Sequence, residues 1–340
     1  MPPPDGWLCL HPLGDRSGDS LDASHVTLSL DNRGLAYGDG FFTTMGVIDG
    51  EVLWLDYHHQ RLLTHAEALQ FELDSDALIT DLKRHAKHLQ QGMLKLIVNR
   101  AVQVVRGYGY APSISGSACE VWLKSSKMTV ATETQIRLAD EQFIPMQPAS
   151  AAVCLASQIA CLPPPLAGLK SLNRLDTVLA SAELQRIKAD LLSNSQESKS
   201  LHSQALPDIG EGLVRDMSGY WVEGTMSNVF YQLLEAPAPL HESAPPSLEP
   251  TNLPNLNDNT SDYLNTGQWY TPPMTQSGVA GVMRQVIMDT LSSTENPVII
   301  RSLRDEDLPS IKQLFFCNAL RGIMPMTGLT LLNGEVIEFN

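Results

Sequence analysis

Residues 166–180, LAGLKSLNRLDTVLA, constrain the fold more than any other stretch of this chain. Apolar residues recur there with the spacing of one helical face: Leu172, Leu175, Val178 and Leu179. We predict a helix from residue 171 to about residue 190 that buries this face. Lys170 stands just before it, where an ammonium group is costly unless it is paired or loses its proton. The alternative, as for any lysine, is a solvated position at the surface.

Strand and helix patterns alternate through the rest of the chain, with hairpin signals in both halves. A strand candidate at residues 41–47 leads into the hairpin signal Asp49-Gly50. Amphipathic patterns predict helices at residues 57–71 and 76–90. This order is typical of an α+β (mixed α/β) protein rather than of a uniformly wound parallel sheet.

The length of 340 residues favours two domains, and the polar residues 125–133 have no periodicity. We therefore predict an N-terminal α/β domain over residues 26–127 and a C-terminal domain over residues 128–340. Residues 1–25 are predicted to be an irregular lead-in. Two stretches rich in Ser, Gln, Pro or Asn are predicted to be inserts, the second of them disordered: residues 193–204 and 236–262.

The acidic composition excludes several classes of function. A formal net charge of −15 argues against nucleic acid or an anionic membrane surface as a partner. The five cysteines are widely spaced without a CxxC pair, which indicates neither a disulfide framework nor a metal site. The sequence has no leader pattern and no apolar run of membrane-spanning length, so we expect a cytoplasmic protein.

Other segments carry residues suited to an anionic ligand beside Lys170. Arg61 in HHQRL has a planar guanidinium that suits phosphate, and Gly281 opens a helix whose first amides could bind phosphate as well. Glu223 in WVEGT could face a ring nitrogen, and the turn at residues 318–320 could offer further amides. Each has a plain alternative: a surface ion pair, a loop-to-helix junction, a solvated strand end and an ordinary turn.

Seven frames place these residues in a fixed order: AYGDGFFTTMGVIDGEV, HHQRL, KLIVNRAVQVVRGYGY, LAGLKSLNRLDTVLASAEL, WVEGTMSNVF, YTPPMTQSGVAGVMRQ and FFCNALRGIMPM. Together they resemble the fold-type IV pyridoxal-phosphate enzymes, the branched-chain aminotransferase-like family of aminotransferase class IV. The resemblance extends from about residue 26 to residue 325. It implies a small N-terminal α/β sandwich, a larger C-terminal pseudo-barrel domain and pyridoxal 5'-phosphate as cofactor.

The resemblance implies a role for each candidate. Lys170 matches the Schiff-base lysine, Arg61 the phosphate ligand and Glu223 the partner of the pyridine nitrogen. The other cofactor contacts are implied for residues of two loops: Val282, Met283, Asn318 and Ala319. Arg174 matches a position where the aminotransferases of the family often carry a tyrosine.

Two frames resemble the 4-amino-4-deoxychorismate lyases within this family. Thr43-Thr44 stands where aminotransferases generally carry a glutamate, and Asn318-Ala319 where they tend to show Gly-Thr. The implied function is a lyase of folate biosynthesis that forms 4-aminobenzoate and pyruvate. Residues 223–228, EGTMSN, match the aminotransferase version instead, so a D-amino-acid or branched-chain aminotransferase is the alternative. A non-catalytic carrier of the cofactor is a third reading.

In the implied reaction, the substrate amine replaces Lys170 on the cofactor, the freed lysine removes a proton and enolpyruvate is eliminated. Charge and loop position suggest ligands for the substrate carboxylates: Arg106, Tyr108, Thr44 and Arg100. The resemblance also implies a homodimer, with the site near the interface and a loop of the second copy close to it. We expect a small-molecule substrate, no metal, and neither nucleic acid nor a membrane as partner.

Overall fold

Two β-sheets organise the chain in its computed structural model, which describes residues 6–11, 28–111, 116–130, 132–138, 142–197, 208–234 and 263–339. Within these residues one sheet has six strands and the other eleven, and helices pack on both. The α+β class predicted from the sequence is therefore confirmed. The predicted insert at residues 236–262 lies outside the described residues, as do most of residues 1–25 and residues 198–204.

The N-terminal half supplies the six-stranded sheet. In chain order its elements are β1 (Trp7–His11), α1 (Arg33–Tyr37), β2 (Gly40–Ile48), β3 (Glu51–Val52), α2 (Leu55–Leu69), β4 (Phe71–Glu72), α3 (Ser75–Leu89), β5 (Gly92–Arg100) and β6 (Ser117–Ser126). The strands are ordered β1-β6-β5-β2-β3, and β4 also pairs with β6. The prediction of an irregular lead-in is wrong for residues 7–11, because β1 pairs with β6 and Leu10 packs on the core.

Alternation in β2 and β5 places one face of this sheet in a hydrophobic core. Phe41 of β2 and Leu96 of β5 are fully buried there, together with apolar residues of α2 and α3. Between β2 and β3, Asp49 and Gly50 both adopt positive φ, as the Asp-Gly hairpin signal predicts. The next residue along β2, Phe42, lies on the opposite, half-buried face, which is directed away from this core.

The C-terminal half supplies the eleven-stranded sheet. In chain order its elements are β7 (Thr134–Arg137), β8 (Phe143–Met146), β9 (Ser150–Ile159), α4 (Leu175–Glu197), β10 (Ile209–Asp216), β11 (Trp221–Gly224), β12 (Asn228–Leu233), β13 (Tyr270–Thr271), α5 (Val282–Leu291), β14 (Ile299–Ile300), β15 (Ile311–Asn318), β16 (Gly322–Thr330) and β17 (Val336–Glu338). Strand pairing runs β9-β10-β11-β12-β15-β16 and returns to β9, which closes these strands into a barrel. The pseudo-barrel implied by the resemblance is confirmed.

Helix α4 differs from the prediction in its bounds and in its buried face. It begins later than residue 171 and continues to Glu197, so the first residues of the predicted insert at 193–204 are helical. Ala180 and Leu184 are buried against β9 and β10. Three of the four residues predicted to be buried are exposed: Leu175, Val178 and Leu179. Neither α4 nor any other helix of the described ranges is long and apolar enough to cross a membrane.

Residues 170–172 join the two sheets. The backbone N–H of Phe42 donates to the carbonyl of Lys170 at 3.0 Å, and the N–H of Leu172 donates to the carbonyl of Gly40 at 2.9 Å. Trp54, which precedes α2, packs among apolar residues of the C-terminal half. Lys170 therefore lies where β2 meets the C-terminal half.

Candidate active site

Lys170 is held by its backbone on both sides. Its carbonyl accepts from Phe42, and its N–H donates to Nε2 of His65 at 2.9 Å. The side chain carries Nζ over the ring of Phe42, 4.8 Å from the ring centre. Burial lowers the pKa of Lys170, and Arg61 and Arg174 lower it further. A larger fraction of this amine is neutral near pH 7 than of a surface lysine, as a nucleophile requires.

Glu223 lies on β11 with its carboxylate buried. Its Oε2 accepts the backbone N–H of Val279 at 2.8 Å. Burial raises the pKa of Glu223, although the N–H of Val279, Arg174 and Lys170 act in the opposite direction. A buried carboxylate of this kind can share a proton with a nitrogen base beside it.

Residues 278–281 form a turn that ties the carboxylate of Glu223 to the segment carrying the candidate lysine. The N–H of Ala280 donates to the carbonyl of Gly168 at 2.9 Å. Gly278 has a φ of +74°, and a Cβ there would stand 3.0 Å from Oε2 of Glu223. This position requires glycine, because other residues rarely adopt such a φ and would crowd the carboxylate.

Arg61 and the first turn of α5 form a candidate phosphate site. Arg61 is buried on α2, and its Nη2 donates to the carbonyl of Ala280 at 2.6 Å. The N-cap residue of α5, Gly281, has no side chain to cap the amides of Val282 and Met283. Burial is the main cause that lowers the pKa of Arg61 to about 10, so it stays cationic at neutral pH. A guanidinium beside an uncapped helix N-terminus suits a phosphate group.

The charges of this site are unbalanced in the protein alone. After burial, Arg174 lowers the pKa of Arg61, and both arginines lower the pKa of Lys170, whereas the carboxylate of Glu223 raises the pKa of Lys170. In the part of the chain that the structure describes, no ion pair includes any of these three cations. Cations in buried surroundings are costly without a counter-ion, so the site favours a bound anion. A phosphorylated aldehyde fits these residues, because its phosphate suits Arg61 and its aldehyde can react with Lys170.

Arg174 has a donor left over for such a ligand. Its Nη2 donates to the carbonyl of Leu169, while its Nε is buried and has no hydrogen-bond partner among the described residues. Buried donors are nearly always paired in proteins. Arg174 affects the pKa values of both Lys170 and Glu223, so its orphaned donor fits a site that is completed by an oxygen of a bound molecule.

Two histidines of α2 that are not predicted from the sequence belong to the same environment. His58 and His65 lie three residues before and four residues after Arg61, so the three share one helical face. Burial and then Arg61 lower the pKa of both histidines, that of His65 to about 3. The signal that could have identified them is this spacing. The described residues contain no cluster of His, Cys, Asp or Glu that could hold a metal ion.

Three further residues lie on the half-buried face of the N-terminal sheet: Phe42, Thr44 and Lys95. Thr44 and Lys95 are directly paired across β2 and β5, and Nζ of Lys95 lies 5.2 Å from the centre of the Phe42 ring. Because Nζ of Lys170 also lies over this ring, the structure brings Lys95 close to the candidate lysine, with Thr44 as the strand partner of Lys95. Lys95 is not predicted from the sequence, since its position depends on the strand register. The role of Thr44 stays a prediction.

Arg100 is not free to bind a substrate, so this prediction is wrong. The side chain is buried, and its Nε donates to Oδ2 of Asp39 at 2.9 Å. Its Nη2 donates to the carbonyl of Leu69 at 2.8 Å, and its Nη1 donates to Oγ of Ser117. The physical reason is that a guanidinium buried at the end of β5 must exchange its hydration for internal acceptors.

Arg106 and Tyr108 lie on an exposed loop. Arg33 fixes this loop by donating at 3.2, 3.0 and 3.1 Å to the carbonyls of Gly107, Tyr108 and Gly109. No contact among the described residues joins Arg106 or Tyr108 to Lys170. The loop thus has a defined shape, and its role in binding the substrate stays a prediction.

Asn318 is the last residue of β15, and Ala319 begins the turn that leads to β16. Oδ1 of Asn318 accepts the N–H groups of Leu320 and Arg321 at 3.1 and 2.8 Å. Its Nδ2 donates to the carbonyl of Met226 at 3.4 Å. The side chain thus shapes the turn and ties it to the segment that follows β11. The contribution of this turn to cofactor binding stays a prediction.

Known proteins share this architecture. The family model described as amino-transferase class IV matches residues 40–329. An aminodeoxychorismate lyase of Vibrio harveyi is 21% identical over 313 residues, which cover 92% of this chain and 90% of the relative. A putative branched-chain-amino-acid aminotransferase of Methanocaldococcus jannaschii is 22% identical over 330 residues, 95% of this chain and 88% of the relative. The crystal structure of 4-amino-4-deoxychorismate lyase from Pseudomonas aeruginosa aligns with a TM-score of 0.64 at 28% identity, covering 93% of this chain and 91% of that one.

Proposed function

The chain belongs to the amino-transferase class IV family, whose members are pyridoxal-phosphate enzymes, and we propose that it is a lyase acting on 4-amino-4-deoxychorismate. The products would be 4-aminobenzoate and pyruvate, in a step of folate biosynthesis. The observation that carries the proposal is the buried amine of Lys170, whose pKa is lowered by burial and by the arginine of α2 and raised by the buried carboxylate of Glu223. The descriptions of the relatives from Vibrio harveyi and Pseudomonas aeruginosa support this reaction.

Different residues around Lys170 would bind different parts of the cofactor. Pyridoxal phosphate supplies an aldehyde that links to amines and a ring that withdraws electrons from the carbon beside the linked nitrogen. Glu223 would hold a proton at the ring nitrogen. Arg61 and the amides of Val282 and Met283 would bind the phosphate.

Lys170 moves the protons of the reaction at Nζ. Its lowered pKa lets Nζ take the proton from the substrate carbon that bears the amine. This carbon belongs to the six-membered ring of the substrate. The bond between the substrate ring and the enolpyruvyl oxygen then breaks, and the substrate ring becomes aromatic. The departing enolpyruvate takes a proton from Nζ and becomes pyruvate.

Thr44 and Lys95 are proposed to bind one carboxylate of this substrate. The amines of Lys95 and Lys170 both lie near the Phe42 ring, and the charge of Lys95 lowers the pKa of Lys170. Like charges so close repel each other, and a carboxylate between them would relieve the repulsion. Thr44 is the residue opposite Lys95 across the strands, and its hydroxyl is suited to donate a hydrogen bond to the same carboxylate.

The protein is proposed to act as a homodimer whose interface is an exposed apolar surface. Five of its residues lie in three segments, which are α1, the loop after β5 and the start of α4: Leu35, Tyr37, Tyr108, Leu175 and Leu179. Tyr37 contacts Tyr108 at 5.1 Å between ring centres, and Leu172 packs against Gly34 just before α4 begins. These contacts bring the three segments together, and exposed apolar residues grouped in this way are typical of an interaction surface. The loop with Arg106 would then reach the site of the second copy.

Two inactive variants test both the dimer and the loop. Arg106→Ala subunits retain Lys170, and Lys170→Ala subunits retain the loop, so a mixed dimer would contain one complete site. After unfolding and refolding an equal mixture, about a quarter of the wild-type activity should return by random pairing, measured well below saturating substrate. Activity no higher than the sum of the separate variants would contradict the shared site, and a monomeric mass in sedimentation would contradict the dimer.

The reaction is tested by product formation. We expect equal amounts of 4-aminobenzoate and pyruvate when the cofactor-loaded protein receives 4-amino-4-deoxychorismate. Lys170→Ala should lower the rate about a thousandfold or more, because general acid–base catalysis by one group contributes that much. Lys83→Ala, at an exposed lysine of α3, is the matched control and should leave the rate unchanged. Absence of both products from cofactor-saturated protein would overturn the proposal.

A branched-chain or D-amino-acid aminotransferase is the second candidate. Residues 223–228, EGTMSN, match the aminotransferase version of this strand, and the Methanocaldococcus jannaschii relative carries such a description. An aminotransferase passes the amino group of a donor to a keto acid over many turnovers. Incubation with leucine or D-alanine and 2-oxoglutarate should form no glutamate if the protein is the lyase, whereas sustained formation of glutamate would favour the aminotransferase.

A further inference from the structure

His65 is in direct contact with the backbone of Lys170. Its Nε2 accepts the N–H of Lys170 at 2.9 Å, and its ring is buried edge-on to Phe41, with 5.2 Å between ring centres. An acceptor at Nε2 places the ring proton at Nδ1, which lies 3.4 Å from Oγ1 of Thr64. Only the neutral ring can make this bond, since a protonated ring has no acceptor nitrogen.

The surroundings of His65 keep the ring in this form. Arg61, Arg174 and Lys170 all disfavour a positive charge on it, in addition to its burial. Apolar packing alone would not require a histidine here. A buried N–H at Lys170 does require an acceptor, because an unpaired backbone donor in the interior is costly.

His65 also links the two ends of the candidate cofactor site. It lies one helical turn after Arg61 on α2, so the two side chains leave the helix on the same side. Arg61 donates to the carbonyl of Ala280 at the phosphate end, while His65 accepts from Lys170 at the amine end. The same rigid helix thus contacts both ends of the site.

We propose that His65 is a positioning residue: as a neutral hydrogen-bond acceptor it fixes the backbone of Lys170 and sets the amine at the distance from Arg61 that the cofactor requires. The second restraint on this backbone is the N–H of Phe42, which donates to the Lys170 carbonyl. With both restraints in place, the direction in which the lysine side chain leaves the chain is determined. The inference rests on the proposed function only in taking Lys170 as the cofactor lysine.

Three substitutions separate the hydrogen bond from the volume of the ring. His65→Gln places an oxygen near the position of Nε2, whereas the shorter His65→Asn reaches only the position of Nδ1. His65→Leu keeps an apolar side chain without any acceptor. His88→Leu, at an exposed histidine of α3, is the control for loss of a histidine elsewhere.

The decisive readout is amide exchange of the cofactor-free protein, followed by mass spectrometry of the peptide that contains residues 166–172. Exchange at Lys170 should rise about tenfold or more in His65→Asn and His65→Leu, because the N–H loses its buried acceptor. It should stay within about twofold of wild type in His65→Gln and His88→Leu. The rate at which added pyridoxal phosphate develops its lysine-bound absorbance should fall in the same two variants.

Equal exchange in His65→Gln and His65→Asn would overturn the inference, since packing alone would then explain the site. This comparison decides the matter even if His65→Leu fails to fold. Because exchange is measured without substrate, a negative result here is distinct from a failure of the proposed lyase activity. If the variants show the expected pattern of exchange but the wild type forms no 4-aminobenzoate, the proposed lyase activity is wrong and the positioning role of His65 is not.

Discussion

Burial moves the pKa values of Lys170 and Glu223 towards neutrality from opposite sides. Each group is charged when solvated, and the interior disfavours the charged form of both. Groups displaced in this way exchange protons readily near pH 7, which is why such pairs mark functional sites. The amine and the carboxylate are ordinary residue types, and their surroundings make them suited to catalysis.

Glu223→Gln tests the charge of this carboxylate. Glutamine can still accept the N–H of Val279, so the fold should be retained while the negative charge is lost. We expect kcat to fall about a hundredfold, the order typical of removing one electrostatic contact to the reacting group. Glu67→Gln, on the exposed side of α2, should have no effect. A variant with unchanged kcat would show that this carboxylate does not act on the cofactor.

Arg61→Lys tests the phosphate site. Lysine keeps the charge but lacks the planar fork that binds phosphate through two hydrogen bonds. The dissociation constant for pyridoxal phosphate should rise about tenfold or more in an equilibrium titration. The exposed Arg84, which pairs with Asp81 on α3, offers the matched control Arg84→Lys, which should bind the cofactor as the wild type does. Equal affinity of both variants would contradict the assignment.

At this scale, Lys170, Arg61 and Glu223 could be predicted from the sequence as candidates for one site, because each stands in a distinctive frame. The structure brings them together around one turn, residues 278–281. Lys95 could not be identified, since its position follows from a strand register that the sequence does not state. Arg100 was assigned to the substrate for its charge alone, and burial excludes that role.

At the scale of elements, α4 shows what periodicity can and cannot predict. The apolar spacing identified a helix, and the alternation of strands with helices identified the fold class. The same spacing pointed to the wrong face, because the helix carries apolar residues on two sides. Ala180 and Leu184 pack on the sheet, while Leu175 and Leu179 remain exposed in the single chain. Which side packs inward depends on tertiary contacts.

These two faces should respond differently to truncation. Leu184→Ala removes a buried side chain and should lower the free energy of unfolding by about 2–5 kcal/mol. Leu179→Ala should change the unfolding of the monomer by less than about 0.5 kcal/mol, because the side chain is exposed there. It should instead raise the dissociation constant of the dimer. The checks are denaturant unfolding at low protein concentration and sedimentation equilibrium; equal destabilisation by both variants would contradict the assignment of the faces.

At the scale of the molecule, the candidate site exists only where the two sheets meet. Lys170 belongs to the C-terminal half, yet its backbone is held by Phe42 and His65 of the N-terminal half. Arg61 of α2 reaches across in the same way to Ala280. The predicted boundary near residue 128 lies between the end of β6 and the start of β7. Folding of the whole chain and formation of the site are therefore linked.

The two buried histidines of α2 predict that each contributes less to stability in acid. The folded-state pKa values of His58 and His65 lie below their unfolded value, that of His65 near 3. As pH falls below about 6.5, the unfolded chain takes up protons that the native state does not bind. The contribution of each histidine to the free energy of unfolding is therefore fully present above that pH and decreases as pH falls, by about 1.4 kcal/mol per pH unit.

His65→Gln isolates the contribution of one histidine, since glutamine does not titrate. Denaturant unfolding of the cofactor-free wild type and variant at about pH 7.5 and about pH 5 should show a smaller decrease for the variant. Other titrating groups affect both proteins alike and cancel in the comparison. An identical decrease would mean that His65 is not a buried neutral histidine in the folded state.

The covalent partner of the cofactor is the most direct test of the whole account. The cofactor-loaded protein would be reduced with borohydride, which makes the bond between an amine and the cofactor aldehyde permanent, then digested and mapped by mass spectrometry. We expect one pyridoxyl-phosphate adduct, on the peptide that contains Lys170, and none in Lys170→Ala. An adduct on Lys95 or another lysine, or saturated binding with no adduct, would contradict the central claim.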